Sequence, residues 1–145
     1  MLTLFDSKQI LFNTAIDLYI EECCNSYLAI LHDSTITIKD KIDALFTSIG
    51  DEHSNMQYYD FFHRVENEEL HEQLSIKLCK YMYPHLLEAV KKAIAAKEIY
   101  IENPEALISF IIYGQVGLLS KSNIDHHEVA KLLNQYVNQL MKFNP

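Results

Sequence analysis

The chain has 145 residues, a formal net charge of −8, and only three glycines and three prolines. That length suits one domain with a core of its own, and so few turn formers disfavour an all-β fold. An acidic surface repels phosphate backbones and no cluster of lysines and arginines offsets it, so the chain as it stands is a poor nucleic-acid binder.

Asp6 opens the first predicted helix, with Gln9 three residues on as its capping partner. Leu11, Ala15, Ile16, Leu18, Tyr19, Ile20, Cys23, Tyr27 and Leu31 give it a wide apolar stripe, and it is expected to run to about Leu31. The connector His32-Asp33-Ser34-Thr35 leads to Thr37, which with Asp40 caps a second, shorter helix. Ile38, Ile42, Leu45, Phe46 and Ile49 mark one face of that helix, and Gly50 is expected to stop it where a left-handed backbone is favoured. After the polar stretch Asp51–Asn55 comes an aromatic run, Met56-Gln57-Tyr58-Tyr59-Asp60-Phe61-Phe62-His63, read as a short helix.

Asn67 caps a long helix from Glu68 to about Lys97, carrying Leu70, Leu74, Leu78, Tyr81, Met82, Leu87, Val90 and Ile94. Pro84 falls inside it, removes a backbone donor and crowds the preceding turn, so a kink or break is expected near Met82–Pro84. Lys91, Lys92 and Lys97 suit the negative end of the helix dipole. Tyr100–Glu102 is a short extended link. The last two helices follow, the first opened by an Asn103 cap with Pro104 at the first helical position and running to Leu119. The second runs to Met141 and begins with an Asp125-x-x-Glu128 capping box. Six predicted helices and no strand make an all-α, multi-helix bundle in a single domain over residues 1–145.

This terminal hairpin is more apolar than a small monomer easily buries. The helix from Pro104 has apolar residues on nearly every face, the mark of a helix buried all round. Gly114 and Gly117 lie on one side, where another helix can come close. One reading is a two-fold interface in which the last two helices of each copy form a four-helix bundle. Its contacts would be Phe110, Gly114, Gly117 and Leu118, with Val129, Leu133, Tyr136, Val137 and Leu140. The other reading is that the hairpin is the core of a monomer.

Nothing in the chain argues for catalysis, a cofactor or a metal. His71-Glu72 begins like a zinc-protease motif, but Ser75 stands where the second histidine is needed. His126 and His127 diverge around a helix start and cannot form the i,i+4 metal pair, and the acidic run at Glu66, Glu68 and Glu69 fits a solvated helix start. There is no glycine-rich phosphate loop and no nucleophile elbow. Cys23, Cys24 and Cys79 are odd in number, two of them adjacent, and no CxxC pair occurs, so reduced and mostly buried thiols in a cytoplasmic protein are expected. Met1 is followed by no basic n-region or cleavage site, and the longest apolar stretch is too short to cross a bilayer, so no membrane partner is expected.

Nine tyrosines and seven phenylalanines with no tryptophan form a tyrosine-heavy inventory. Rings with a few polar tips are what a small-molecule pocket between helices needs. Tyr59, Phe62, His63, Tyr81, His85 and Tyr113 are the candidate walls, for an apolar or aromatic ligand held near the break at Pro84. The alternative is that each of these rings simply packs the core.

The order of elements resembles the tetracycline-repressor (TetR) family of transcriptional regulators, in the part that follows its DNA-binding domain. Phe5-Asp6-Ser7-Lys8-Gln9-Ile10-Leu11 resembles the junction between that family's recognition helix and its long connecting helix. Tyr58–His63, Asn67-Glu68-Glu69-Leu70, and Asn103-Pro104-Glu105 followed by an apolar helix with Gly114 resemble its regulatory domain. The resemblance implies a small effector bound between helices and dimerisation through the last two helices. It also implies a helix-turn-helix before Phe5, where only Met1–Leu4 stand, so DNA would be reached only through a domain this chain does not carry. Two readings follow: an effector-binding and homodimerising regulatory domain, or a ligand-free helical interaction protein that pairs with full-length relatives.

Overall fold

A computed structural model describes residues 4–51, 68–119 and 125–143. Among these the chain forms five helices and no strand: α1 (Leu4–Leu31), α2 (Ile38–Asp51), α3 (Glu68–Ala95), α4 (Pro104–Leu119) and α5 (His126–Met141). The all-α bundle expected from the periodicity is what the chain adopts. The aromatic run Met56–His63, and with it Tyr59, Phe62 and His63, lies outside the described residues.

Local chemistry explains the helix starts. Thr37 caps α2, its Oγ1 accepting the Asp40 N–H at 3.2 Å. Asn103 caps α4 through Oδ1 and the Ala106 N–H at 3.1 Å, with Pro104 just inside. Asp125 caps α5 by accepting the His127 N–H at 2.9 Å. The far end of α3 closes on Lys97 in the left-handed region, φ 62°. There the Glu98 N–H reaches the Ala93 carbonyl at 2.9 Å and the Lys97 N–H reaches that of Ile94 at 3.0 Å, the paired bonds of a Schellman end.

Two expectations about helix punctuation are corrected: a break at Pro84, one of the two outcomes expected there, and a stop at Gly50. Helix α3 runs unbroken from Glu68 to Ala95 through Pro84. Proline forfeits a single i→i−4 bond and the rest of the ladder holds the segment, so no break forms. Gly50 does not stop α2 in a left-handed turn; it is helical, buried, and has no positive φ. A Cβ built on it would stand 3.3 Å from His127 Nδ1 and 3.4 Å from Ala130 Cβ. Its smallness serves the close approach of α2 and α5, the most extensive pairing among the described helices.

The order of contacts orients the bundle. α1 and α3 run the same way: the His32 ring meets His85 edge-on at 5.7 Å where α1 ends, and the earlier residues Tyr19 to Tyr27 share a cavity wall with His71 to Leu86. α4 runs back along α3: Lys91 pairs with Glu105 at 2.9 Å, and Cys79 Sγ donates to the Ile112 carbonyl at 3.4 Å. α5 runs back along α2, joining Asn138 to Asp43 at one level and Ala130 to Gly50 at another. Phe143 closes the far end by forming a bridge with the fully buried Ile99. The core is Ile16, Ile20, Cys24 and Leu31 of α1, the Ile38 to Phe46 face of α2, Leu74 to Ala93 of α3, Ile108 and Ile112 of α4, and Val129 to Met141 of α5. No polar or charged side chain is fully buried among the described residues.

Candidate functional site: an uncharged cavity and an uncovered face

A cavity of about 250 Å³ lies inside the bundle, with wall residues from all five helices. α3 supplies the longest run: His71, Leu74, Ser75, Leu78, Cys79, Met82 and Leu86. These follow the i, i+3, i+4, i+7 spacing of a single helix face. α4 contributes Ile108, Ile111, Ile112, Gln115, Val116 and Leu119, again one face, and α1 contributes Tyr19, Cys23, Cys24 and Tyr27. α2 and α5 complete the wall with aliphatic side chains, Phe46 and Met141. No Asp, Glu, Lys or Arg is among the described lining residues.

The polar atoms of the wall are quiet ones. Ser75 donates its hydroxyl proton to the His71 carbonyl at 2.9 Å, which leaves its lone pairs to accept. Burial pushes the Cys79 thiol up to about 11, so it stays protonated and gives that proton to Ile112. The Tyr19 phenol is raised well above its ordinary value, first by burial and then by its hydrogen bond with Cys23. Neither thiol nor phenol is set up as a nucleophile. No group of three or more His, Cys, Asp or Glu able to hold a metal occurs among the described residues.

The three candidate wall residues that are described do not line this cavity. Tyr81 and His85 sit one turn apart on a neighbouring face of α3, their rings 5.7 Å apart, and His85 turns toward His32 instead. Tyr113 is exposed on the outer side of α4. The cavity walls that sequence reasoning passed over are Tyr19, Tyr27, His71, Ser75 and Gln115. A signal for two of them was present: His71 and Ser75 are the polar members of an otherwise apolar i, i+3, i+4 stripe.

The terminal hairpin divides into two faces. α4 is not buried all round: Ile108 and Ile112 are core, whereas Phe110 is 71% exposed. Phe110, Tyr113, Gly114 and Gly117 form an exposed outer stripe, and a Cβ at either glycine would meet nothing within 4 Å. Leu118 is half-buried. On α5, Val129, Leu133 and Val137 are buried in this chain's own core, so they are not available to a partner as expected. Tyr136 and Leu140, named in the same expectation, are exposed on the open side together with Leu132. An amphipathic helix has only one core face, and α2 claims the Val129–Val137 side of α5.

Apolar side chains are also exposed on the first half of α1, at Ile10, Leu11, Phe12 and Leu18. This corrects the expectation that Leu11 and Leu18 belong to the core stripe. No described helix is long and apolar enough to cross a membrane. Comparison with family models, with curated proteins and with solved structures finds no match to the chain.

Proposed function

We propose that the chain is a regulatory domain that binds a small apolar or aromatic effector between its helices and dimerises through α4 and α5, as in a TetR-like transcriptional regulator. The observation that carries this reading is the cavity of about 250 Å³ walled by five helices. Space left unfilled by the described side chains supports a ligand over a ligand-free interaction module, since an apolar cavity of this size forfeits packing energy when empty. The outer stripe supports the second half of the reading. Phe110, Tyr113, Leu132, Tyr136 and Leu140 are large apolar groups left in water on two adjacent helices, and burying them against a second copy would recover the hydrophobic energy they lack. DNA contact belongs in this reading to a helix-turn-helix outside these helices, consistent with the charge of −8.

Sedimentation equilibrium at micromolar concentration tests the association. A dimer is expected for the unaltered chain, and Phe110→Glu with Tyr136→Glu should give a folded monomer. An unaltered chain that sediments as a monomer would remove dimerisation from the reading. Toluene titrated into the protein tests the cavity separately, with a rise in Tm expected on occupancy.

A further inference from the structure

We propose that the cavity selects a small amphipathic molecule with one uncharged head, a hydroxyl or a simple amide, held between Gln115 and Ser75, while its apolar body points toward Met82, Leu86 and Ile108. The inference rests on the effector-binding reading and names the chemical class of that effector.

The cavity has a polar end and an apolar end, and the helix directions fix which is which. Cys79 bonds to Ile112 across the antiparallel α3–α4 pair, so one turn toward the start of α3 brings Ser75 level with Gln115. One turn further back lies His71. α1 runs parallel to α3 from the His32–His85 contact, which places Tyr19 at this same end. In the other direction the wall becomes Met82, Leu86, Ile108 and Met141, with no polar side chain among them. The described lining residues that can hydrogen-bond through oxygen or nitrogen are therefore collected toward one end, except Tyr27 further along α1.

What that end can hold follows from its charges and donors. With no Asp, Glu, Lys or Arg in the described wall, an ammonium finds no carboxylate among these residues and a carboxylate finds no cationic side chain but the His71 imidazole, so either ion would enter a largely apolar space at a steep desolvation cost. A neutral head avoids that cost. Gln115 offers both a donor and an acceptor, and the Ser75 oxygen, having given its proton to the His71 carbonyl, can only accept. A hydroxyl head matches the pair: its oxygen accepts from the Gln115 amide and its proton goes to Ser75. An amide satisfies the same two partners. The size is also bounded, since an apolar cavity of about 150 Å³ takes a benzene ring, so 250 Å³ suits a molecule of about ten non-hydrogen atoms.

Calorimetric titration of the full chain at pH 7.5 with 1-octanol, octanoate, octylammonium and toluene tests this. The first three share one body and differ in the charge of the head, and toluene reports the cavity without any head. 1-Octanol is expected to bind at least about tenfold more tightly than either ion. Gln115→Leu should weaken 1-octanol by roughly tenfold while leaving toluene as tight or tighter. Ser75→Ala should act in the same direction, and it stands in as the readout if Gln115→Leu does not fold by circular dichroism. Octanoate or octylammonium binding as tightly as 1-octanol would overturn the uncharged head and leave the cavity reading standing. Tight 1-octanol binding that neither substitution weakens would place the head elsewhere and overturn the proposal. Failure of all four probes, toluene included, would remove the cavity reading and this inference together.

Discussion

Glu98 Oε1 accepts the Ile38 N–H at 3.0 Å, so a side chain just past the end of α3 caps the first residue of α2, sixty positions away. Thr37 satisfies another donor of the same helix start, the N–H of Asp40. Neighbouring Ile99 is fully buried and bridges to Phe143. Three helix ends are thus tied together at one pole of the bundle. Glu98→Ala is expected to cost about 1 kcal/mol in urea unfolding, as loss of a helix cap usually does. Thr37→Ala should cost a similar amount, and a stability unchanged by Glu98→Ala would mean that water replaces the carboxylate without loss.

Lys97 holds the left-handed position of the Schellman end with φ 62°, where a Cβ is strained and glycine is not. Lys97→Gly is expected to raise stability by about 0.5–1 kcal/mol, read as a higher urea midpoint at unchanged slope. A lower midpoint would show that the lysine side chain contributes more than its backbone costs.

Gly50 separates two opposing effects. Alanine favours the helix by about 1 kcal/mol over glycine, and its Cβ would press first on the side chain of His127, which is exposed and can move. Gly50→Ala is therefore expected to be neutral or stabilising in thermal unfolding. Gly50→Leu drives a branched side chain into the α2–α5 contact and is expected to cost about 1–3 kcal/mol. If alanine is as damaging as leucine, the helices are held too rigidly for His127 to give way.

Asp43 gives a pH dependence with a definite sign. Burial alone would raise its carboxyl, but hydrogen bonds from Lys39, Asn134 and Asn138 together outweigh burial and hold it below the ordinary carboxylate range. A carboxyl lowered in the folded state contributes stability that is full above its unfolded value near 4 and is lost as pH falls through the folded value. The stability gap between the unaltered chain and Asp43→Asn is expected to be constant above about pH 6 and to narrow below about pH 4. A gap independent of pH from 7 to 3 would mean that Asp43 acts by shape rather than by charge.

The two sides of α5 should respond differently to the same charge. Val137 is 3% exposed, and Val137→Glu places a carboxylate in the core, with loss of cooperative unfolding expected. Tyr136 is half exposed, and Tyr136→Glu should leave the chain helical and unfolding cooperatively, with any fall in Tm limited to the stability that association supplies. Circular dichroism with thermal melts distinguishes the two, and a folded Val137→Glu protein would mean the face of α5 has been misassigned.

Three helix starts were legible because capping is local: Thr37, Asn103 and Asp125 each act within three residues of their own position. Asp6 does not open α1, which already includes Leu4 and Phe5, and the expected cap Asn67 lies outside the described residues. Gly50 was misread because glycine serves equally as a left-handed stop and as a close-approach residue, and only the position of α5 decides between them. The same limit applies to α5 itself. Its pattern holds two apolar rows, one through Val129, Leu133 and Val137 and one through Leu132, Tyr136 and Leu140, and periodicity does not say which row α2 will cover. The cavity was the least legible feature. Its polar end joins Tyr19, Ser75 and Gln115 from three helices, and no single segment carries that pattern.

Ile111 and Gln115 of α4 look into the cavity while Phe110 and Gly114, their immediate neighbours in the chain, look outward. Adjacent residues on a helix differ by about 100° in direction, so a backbone shift that accommodates a bulkier side chain on one side is delivered to the other. α4 is a partition one helix thick. A substitution at Ile111 cannot be scored for the interior alone, nor one at Gly114 for the exterior alone, and an assay of either property needs the other measured on the same sample.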